Sequence, residues 1–129
     1  MDTALEDRLV AAATRSRGNA VSKRSGFSVG AAIESGDGVI WGGCNVENST
    51  YGLTVCAERV AIWKALSEGQ RKFTAVAVVT GADEPTPPCG ACRQILWEFA
   101  GDVPIVSATT GGKRKRWKLS ELFPAPFDF

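Results

Sequence analysis

The sequence predicts an α/β domain in which helices cover both faces of a sheet. Segments with helical apolar spacing alternate along the chain with short, β-branched apolar runs. One run, Phe73 to Val79, is almost continuously apolar, as a strand covered on both faces must be. The length, 129 residues with 44% apolar content, suits a single domain over 1–129 with a core of its own.

Each element follows from local signals. Thr3-x-x-Glu6 reads as a capping box, and Leu5, Leu9, Ala12 and Ala13 keep helical spacing, which predicts a helix over Ala4 to Ser16. Arg15 and Arg17 stand near its end, where cations suit the dipole. After a polar connection, Ser22 to Gly26, come a strand from Phe27 to Glu34, a hairpin turn at Ser35-Gly36-Asp37-Gly38, and a returning strand from Val39 to Cys44. Asn45 to Val55 is a loop long enough to carry function.

A second helix is expected over Cys56 to Glu68, stopped by Gly69. Its apolar residues, among them Val60, Ile62, Trp63 and Leu66, cover much of its circumference and predict wide burial, with room for a second subunit. The Phe73 to Val79 strand leads to a stiff, proline-rich approach, Asp83 to Pro88, and then to a helix over Ala91 to Ala100. Pro104 to Ala108 reads as a strand, Thr109 to Gly112 as a turn, and Lys113 to Lys118 as an edge strand. Ser120 opens a short helical turn before a tail whose Phe123, Phe127 and Phe129 are too apolar to stay undocked.

Composition narrows the chemistry. Fifteen Lys and Arg against 14 Asp and Glu give no global field that would favour nucleic acid or a membrane surface. The chain has no histidine, which excludes histidine catalysts and histidine metal ligands. Met1 to Ala13 carries Asp2, Glu6 and Asp7 and lacks the apolar core of an export signal. No apolar run reaches the roughly 20 residues of a membrane span. Four cysteines in such a chain fit a reducing, cytoplasmic setting, where their spacing favours metal over disulfide.

Thr54-Val55-Cys56-Ala57-Glu58-Arg59 and Pro87-Pro88-Cys89-Gly90-Ala91-Cys92 carry the strongest signal. A catalytic zinc takes three protein ligands and keeps its fourth position open. Cys89 and Cys92 have the spacing of a zinc pair, and Cys56 can supply the third thiolate. Glu58, two residues on, lies about 200° round a helix from Cys56 and suits proton transfer better than ligation. Three thiolates leave the ion with a net charge of about −1, which Arg59 can offset by hydrogen bonding to sulfur. Other readings stay open: a closed four-cysteine site that adds Cys44, a redox pair at Cys89 and Cys92, or plain buried cysteines.

The C-A-E and P-C-x-x-C segments resemble zinc-dependent cytidine deaminases, in the version with cysteine in place of the first histidine. Phe27-Ser28-Val29-Gly30-Ala31-Ala32, Gly43-Cys44-Asn45-Val46-Glu47-Asn48, Cys92-Arg93-Gln94 and Glu121-Leu122-Phe123-Pro124 are also similar to that family, in its order. The resemblance implies a three-layer α/β/α cytidine deaminase-like fold around a mixed five-stranded sheet, one Zn2+ per subunit, and a homotetramer. The implied reaction is hydrolytic deamination of cytidine or deoxycytidine in pyrimidine salvage.

It also implies roles. Glu58 is the proton carrier. Asn45 and Glu47, which alternate at a strand end and face one way, hold the ribose hydroxyls, with turn chemistry and a surface charge as their bland alternatives. Phe27 lines the base pocket, and the Ala57 N–H contacts the pyrimidine. Tyr51 and Phe127 border a neighbouring subunit's site.

One segment departs from the family pattern. Typical members carry Tyr-x-Pro-Tyr-Ser just before the phenylalanine, and Val21 to Gly26 has neither aromatic nor proline. That leaves open a modified cytosine nucleoside or a nucleoside antibiotic of the blasticidin S kind, although Glu47 argues for a ribose-reading enzyme. Lys113-Arg114-Lys115-Arg116-Trp117-Lys118 is the one local charge cluster. It fits an aggregation-blocking edge strand better than a nucleic-acid editor. A non-catalytic zinc-stabilised binding module is the remaining alternative.

Overall fold

The computed structural model describes residues 1–128, so the expected docking of Phe129 lies outside the described residues. Five strands form one sheet: β1 (Val29–Ser35), β2 (Ile40–Cys44), β3 (Phe73–Thr80), β4 (Pro104–Thr109) and β5 (Arg114–Lys118). Their order is β2-β1-β3-β4-β5. Only β3 and β4 pair in parallel, and the other three pairings are antiparallel, so the sheet is mixed as expected. The parallel pair is joined through a helix because two parallel neighbours need a crossover.

Helices α1 (Thr3–Arg17), α2 (Ala57–Ser67), α3 (Gly90–Ala100) and α4 (Leu119–Leu122) complete the layers. Leu9, Ala12 and Ala13 of α1 pack with Ala32, Ala77 and Val106 in one cluster. Ala61, Ile62 and Leu96 of α2 and α3 pack with Ala31, Ile33 and Ile105 in a second. Successive strand residues such as Ala31 and Ala32 fall in different clusters, as side chains that alternate across a sheet must. Val76, Ala77, Val78 and Val79 are each at most 2% exposed, which confirms β3 as a strand covered on both faces.

Two glycines let the helices lie close. A Cβ on Gly30 would stand 1.9 Å from the Ala13 carbonyl oxygen. A Cβ on Gly43 would stand 2.6 Å from both the Ala57 oxygen and the Ala61 nitrogen, so this glycine admits the first turn of α2 against β2.

Several local expectations are corrected. Asp2, not Thr3, caps α1: its Oδ1 accepts from the Leu5 N–H at 2.8 Å. Glu6 is drawn away from the helix start by Arg114 and Arg116 on β5. The first strand begins at Val29, so Phe27 precedes it. Cys56 and Cys89 are the N-cap residues of α2 and α3, and neither caps with its side chain. Helix α2 buries Ala57, Ala61, Ile62 and Ala65, and leaves Trp63 44% exposed, so its burial is one-sided within this chain. Phe123 packs against the α2–α3 side of the core. No helix among the described residues is long and apolar enough to cross a membrane.

Candidate active site

Strands β2 and β3 run in the same direction, because each is antiparallel to β1 between them. Their carboxyl ends therefore lie at one end of the sheet, where open α/β sheets place their ligand crevices. The chain leaves β2 at Cys44 and starts α2 after Cys56, and it leaves β3 at Thr80 and starts α3 after Cys89. Cys56 and Cys89 keep extended backbones while their carbonyls already accept from Val60 and Arg93. A thiol at each helix start is thus free to face the other.

The sulfurs of Cys56, Cys89 and Cys92 lie within 4.8 Å of one another. Cys56 is half-buried, Cys89 exposed and Cys92 buried. Cys44 is not in the cluster, so among the described residues the four-cysteine reading has no geometric support. Two sulfurs at about 2.3 Å from a tetrahedral zinc stand about 3.8 Å apart, and Cys56 Sγ is 3.7 Å from Cys89 Sγ. Arg59 donates to Cys56 Sγ at 3.4 Å, and its buried Nε has no partner. A guanidinium beside three sulfurs fits a centre that carries excess negative charge, so the donor set suits zinc.

The electrostatics favour ionisation at one sulfur of the three. The Cys56 thiol is held down to about 5, first by hydrogen bonding with Cys92 and then, against burial, by Arg59. Cys92 moves upward, as the thiol that donates to Cys56 and lies buried beside other acids. Burial pushes the Glu58 carboxyl up to about 7. Glu58 is only 5% exposed.

A cavity of about 260 Å³ opens beside the sulfurs, and Phe27, Asn45, Glu47, Ala57 and Glu58 line it together with Cys56 and Cys89. Glu58 and the expected base and sugar contacts therefore share one space, whose lining does not include Cys92 or Arg59. As the first residue of α2, Ala57 has an N–H with no intrahelical acceptor. Asn45 is more committed than expected: its Oδ1 accepts from the Val29 N–H and its Nδ2 donates to the Phe27 carbonyl, both at 2.9 Å.

Tyr51 and Phe127 stay outside the cavity. Tyr51 is 74% exposed on a 3-10 turn, Tyr51–Leu53, under the Arg24 guanidinium. Phe127 is 66% exposed and lines a separate groove with Gln94, Trp97 and Glu98. Among the cavity residues to which sequence reasoning gave no role are Ser25, Thr80 and Thr86. The Thr80 and Thr86 hydroxyls pair at 3.2 Å. Nothing local marks the threonines, whereas Ser25 stood two residues before Phe27 in the segment already noted as divergent.

A cluster of three sulfurs able to hold a metal, with a buried acid beside it, fits one class, the zinc enzymes that activate water. Comparison narrows the class. Residues 4–108 match the family described as "Cytidine and deoxycytidylate deaminase zinc-binding region". The chain is 43% identical over 122 residues to cytidine deaminase of Sporosarcina psychrophila, covering 94% of this chain and 90% of that protein. It is 43% identical over 120 residues to cytidine deaminase of Halalkalibacterium halodurans, covering 92% and 91%. The crystal structure of cytidine deaminase from Burkholderia pseudomallei superposes with a TM-score of 0.92 at 39% identity, covering 98% of this chain and all of that one. The chain belongs to the cytidine deaminase family, and its cofactor is zinc.

Proposed function

We propose that residues 1–129 act as one catalytic domain that hydrolyses cytidine and deoxycytidine to the uracil nucleosides and ammonia. The observation that carries this reading is one cavity lined together by Cys56, Cys89, Glu58, Phe27, Asn45 and Glu47. Cys56, Cys89 and Cys92 would hold the zinc, which when bound supplies Lewis-acid activation of water.

Glu58 takes a proton from the water and delivers it to ring nitrogen 3, which makes ring carbon 4 electrophilic. The water oxygen bonds to that carbon. Glu58 then carries the remaining hydroxyl proton to the exocyclic amine, the carbon–nitrogen bond breaks, and ammonia leaves as the carbonyl forms. A buried carboxyl suits this alternation because little separates its two protonation states near neutral pH. Arg59 offsets the thiolate charge, the Ala57 N–H supports the pyrimidine, Phe27 packs on the base, and Asn45 and Glu47 receive the sugar.

The basic strand β5 gives little support to a nucleic-acid editor. Arg114 pairs with Glu6 and Asp7, Arg116 with Glu6, and Lys113 with Glu84. The exposed Tyr51, Leu53, Trp63 and Phe127 support a homotetramer in which Tyr51 and Phe127 border neighbouring sites. A cytoplasmic setting suits three free thiols at a metal site.

The test is ammonia release by zinc-loaded protein given cytidine, with Glu58→Ala as control. Loss of a proton carrier lowers the rate by about 10²–10⁴ while zinc content stays. An active Glu58→Ala protein overturns the mechanism. Release from a modified cytosine nucleoside alone overturns the substrate.

A further inference from the structure

The turn that precedes Phe27 grips Glu47. The carboxylate oxygen Oε1 accepts from the backbone N–H groups of Arg24 and Ser25, both at 3.0 Å. The Ser25 hydroxyl donates to Oε2. The same hydroxyl accepts from the Phe27 N–H at 3.0 Å, so one of its lone pairs is spent and its proton is directed at Glu47. The turn closes at Gly26, whose φ of 69° is a conformation glycine adopts without strain, and whose N–H reaches the Ser22 carbonyl at 2.7 Å. Two successive amides converging on one oxygen form the concave pair that holds anions.

A carboxylate offers about four lone-pair positions. On Glu47 two are filled at Oε1 and one at Oε2, so a single acceptor position remains, on Oε2. Ser25 and Glu47 both line the cavity that holds Glu58 and Cys56.

We propose that Ser25 is a positioning residue whose hydroxyl, with the Arg24 and Ser25 amides, fixes the Glu47 carboxylate so that it reads one substrate hydroxyl. The proposal rests on the reading that Glu47 receives the sugar. It follows that a second sugar hydroxyl gains no bond at Glu47, and that cytidine and deoxycytidine are treated alike there. The Ser25 hydroxyl also ties Glu47 to the backbone of Phe27, so the residues that receive sugar and base keep one spacing.

The experiment compares cytidine, deoxycytidine and 2′,3′-dideoxycytidine as substrates of wild type, Ser25→Ala, Ser25→Thr and Glu47→Ala, with zinc content measured on each. Removing a donor to a charged acceptor is expected to raise KM for cytidine and deoxycytidine about tenfold. The loss falls on KM rather than kcat, as expected for binding that is equal in ground and transition states. The preference for cytidine over the dideoxynucleoside narrows by the same factor, and Ser25→Thr restores it.

Equal losses on all three substrates, or a fall in kcat together with zinc, would mark Ser25 as merely structural and overturn the proposal. If Glu47→Ala narrows the preference and Ser25→Ala does not, the positioning role fails while the sugar reading stands. If Glu47→Ala leaves the preference unchanged, both fail.

Discussion

Cys56 Sγ stands 3.7 Å from Cys89 Sγ although 33 residues separate them in the chain. The sheet makes the contact. Two antiparallel steps, from β2 to β1 and from β1 to β3, return the chain to its first direction. The loops that leave β2 and β3 therefore emerge side by side, and each ends in a cysteine at a helix start.

That geometry predicts three ligands and not four. Purified protein is expected to hold one zinc per chain. Cys56→Ala and Cys92→Ala should each abolish stoichiometric zinc, and Cys44→Ser should leave it intact. Metal analysis after gel filtration reads the outcome, and loss of zinc in Cys44→Ser would restore the closed four-cysteine site.

Asn45 predicts a coupled loss of stability and affinity. Its amide joins the Phe27 carbonyl to the Val29 N–H from a position only 8% exposed. Asn45→Ala strands both backbone groups and should cost about 1–3 kcal/mol in urea unfolding. KM for cytidine should rise with it, because Phe27 loses its anchor at the cavity wall.

Gly43 predicts a steric effect on the site from outside it. A Cβ there meets the backbone of Ala57 and Ala61 at 2.6 Å, and backbone cannot rotate aside as a side chain can. Gly43→Ala should destabilise by about 1–3 kcal/mol through overpacking. It should also weaken zinc affinity, since the displaced turn carries Cys56 and Glu58. Competition with a chelator, followed alongside thermal unfolding, separates this from simple destabilisation.

Glu6 predicts the acid limb of stability. Hydrogen bonding to Arg116, and then to Arg114, holds its carboxyl below the ordinary value of 4.5. A carboxyl depressed in the folded state stabilises it above the unfolded pKa, and that contribution is lost as pH falls through the folded value. Wild type should therefore exceed Glu6→Gln in Tm at neutral pH, with the gap shrinking below about 4.5. A gap that stays constant with pH would assign the difference to packing.

The helix starts, the central strand β3 and the three cysteines that cluster were legible because their signals are local. Spacing, apolar periodicity and a Gly or Pro at a boundary act within a turn or two of the residue concerned. The resemblance to the family was legible for the same reason, since its motifs are short and contiguous. Where the sequence misled, a distant partner had intervened. Thr3-x-x-Glu6 has the form of a capping box, yet Asp2 supplies the cap and Glu6 pairs with arginines more than 100 residues away. The basic run at Lys113 to Lys118, by contrast, forms the expected edge strand, with Lys113, Arg114 and Arg116 paired to Glu84, Glu6 and Asp7.

The sequence by itself determined which groups are available: three thiols and one carboxyl at helix starts, an amide and a carboxylate alternating at a strand end, and no imidazole anywhere. Only the tertiary structure decided how much of each group is left for a substrate. Glu47 has three of its acceptor positions taken by Arg24 and Ser25, and Asn45 has half its amide bound to its own backbone. A hydrogen bond to the chain and one to a ligand are of similar strength, so the choice between them is made by which atoms the fold brings within reach.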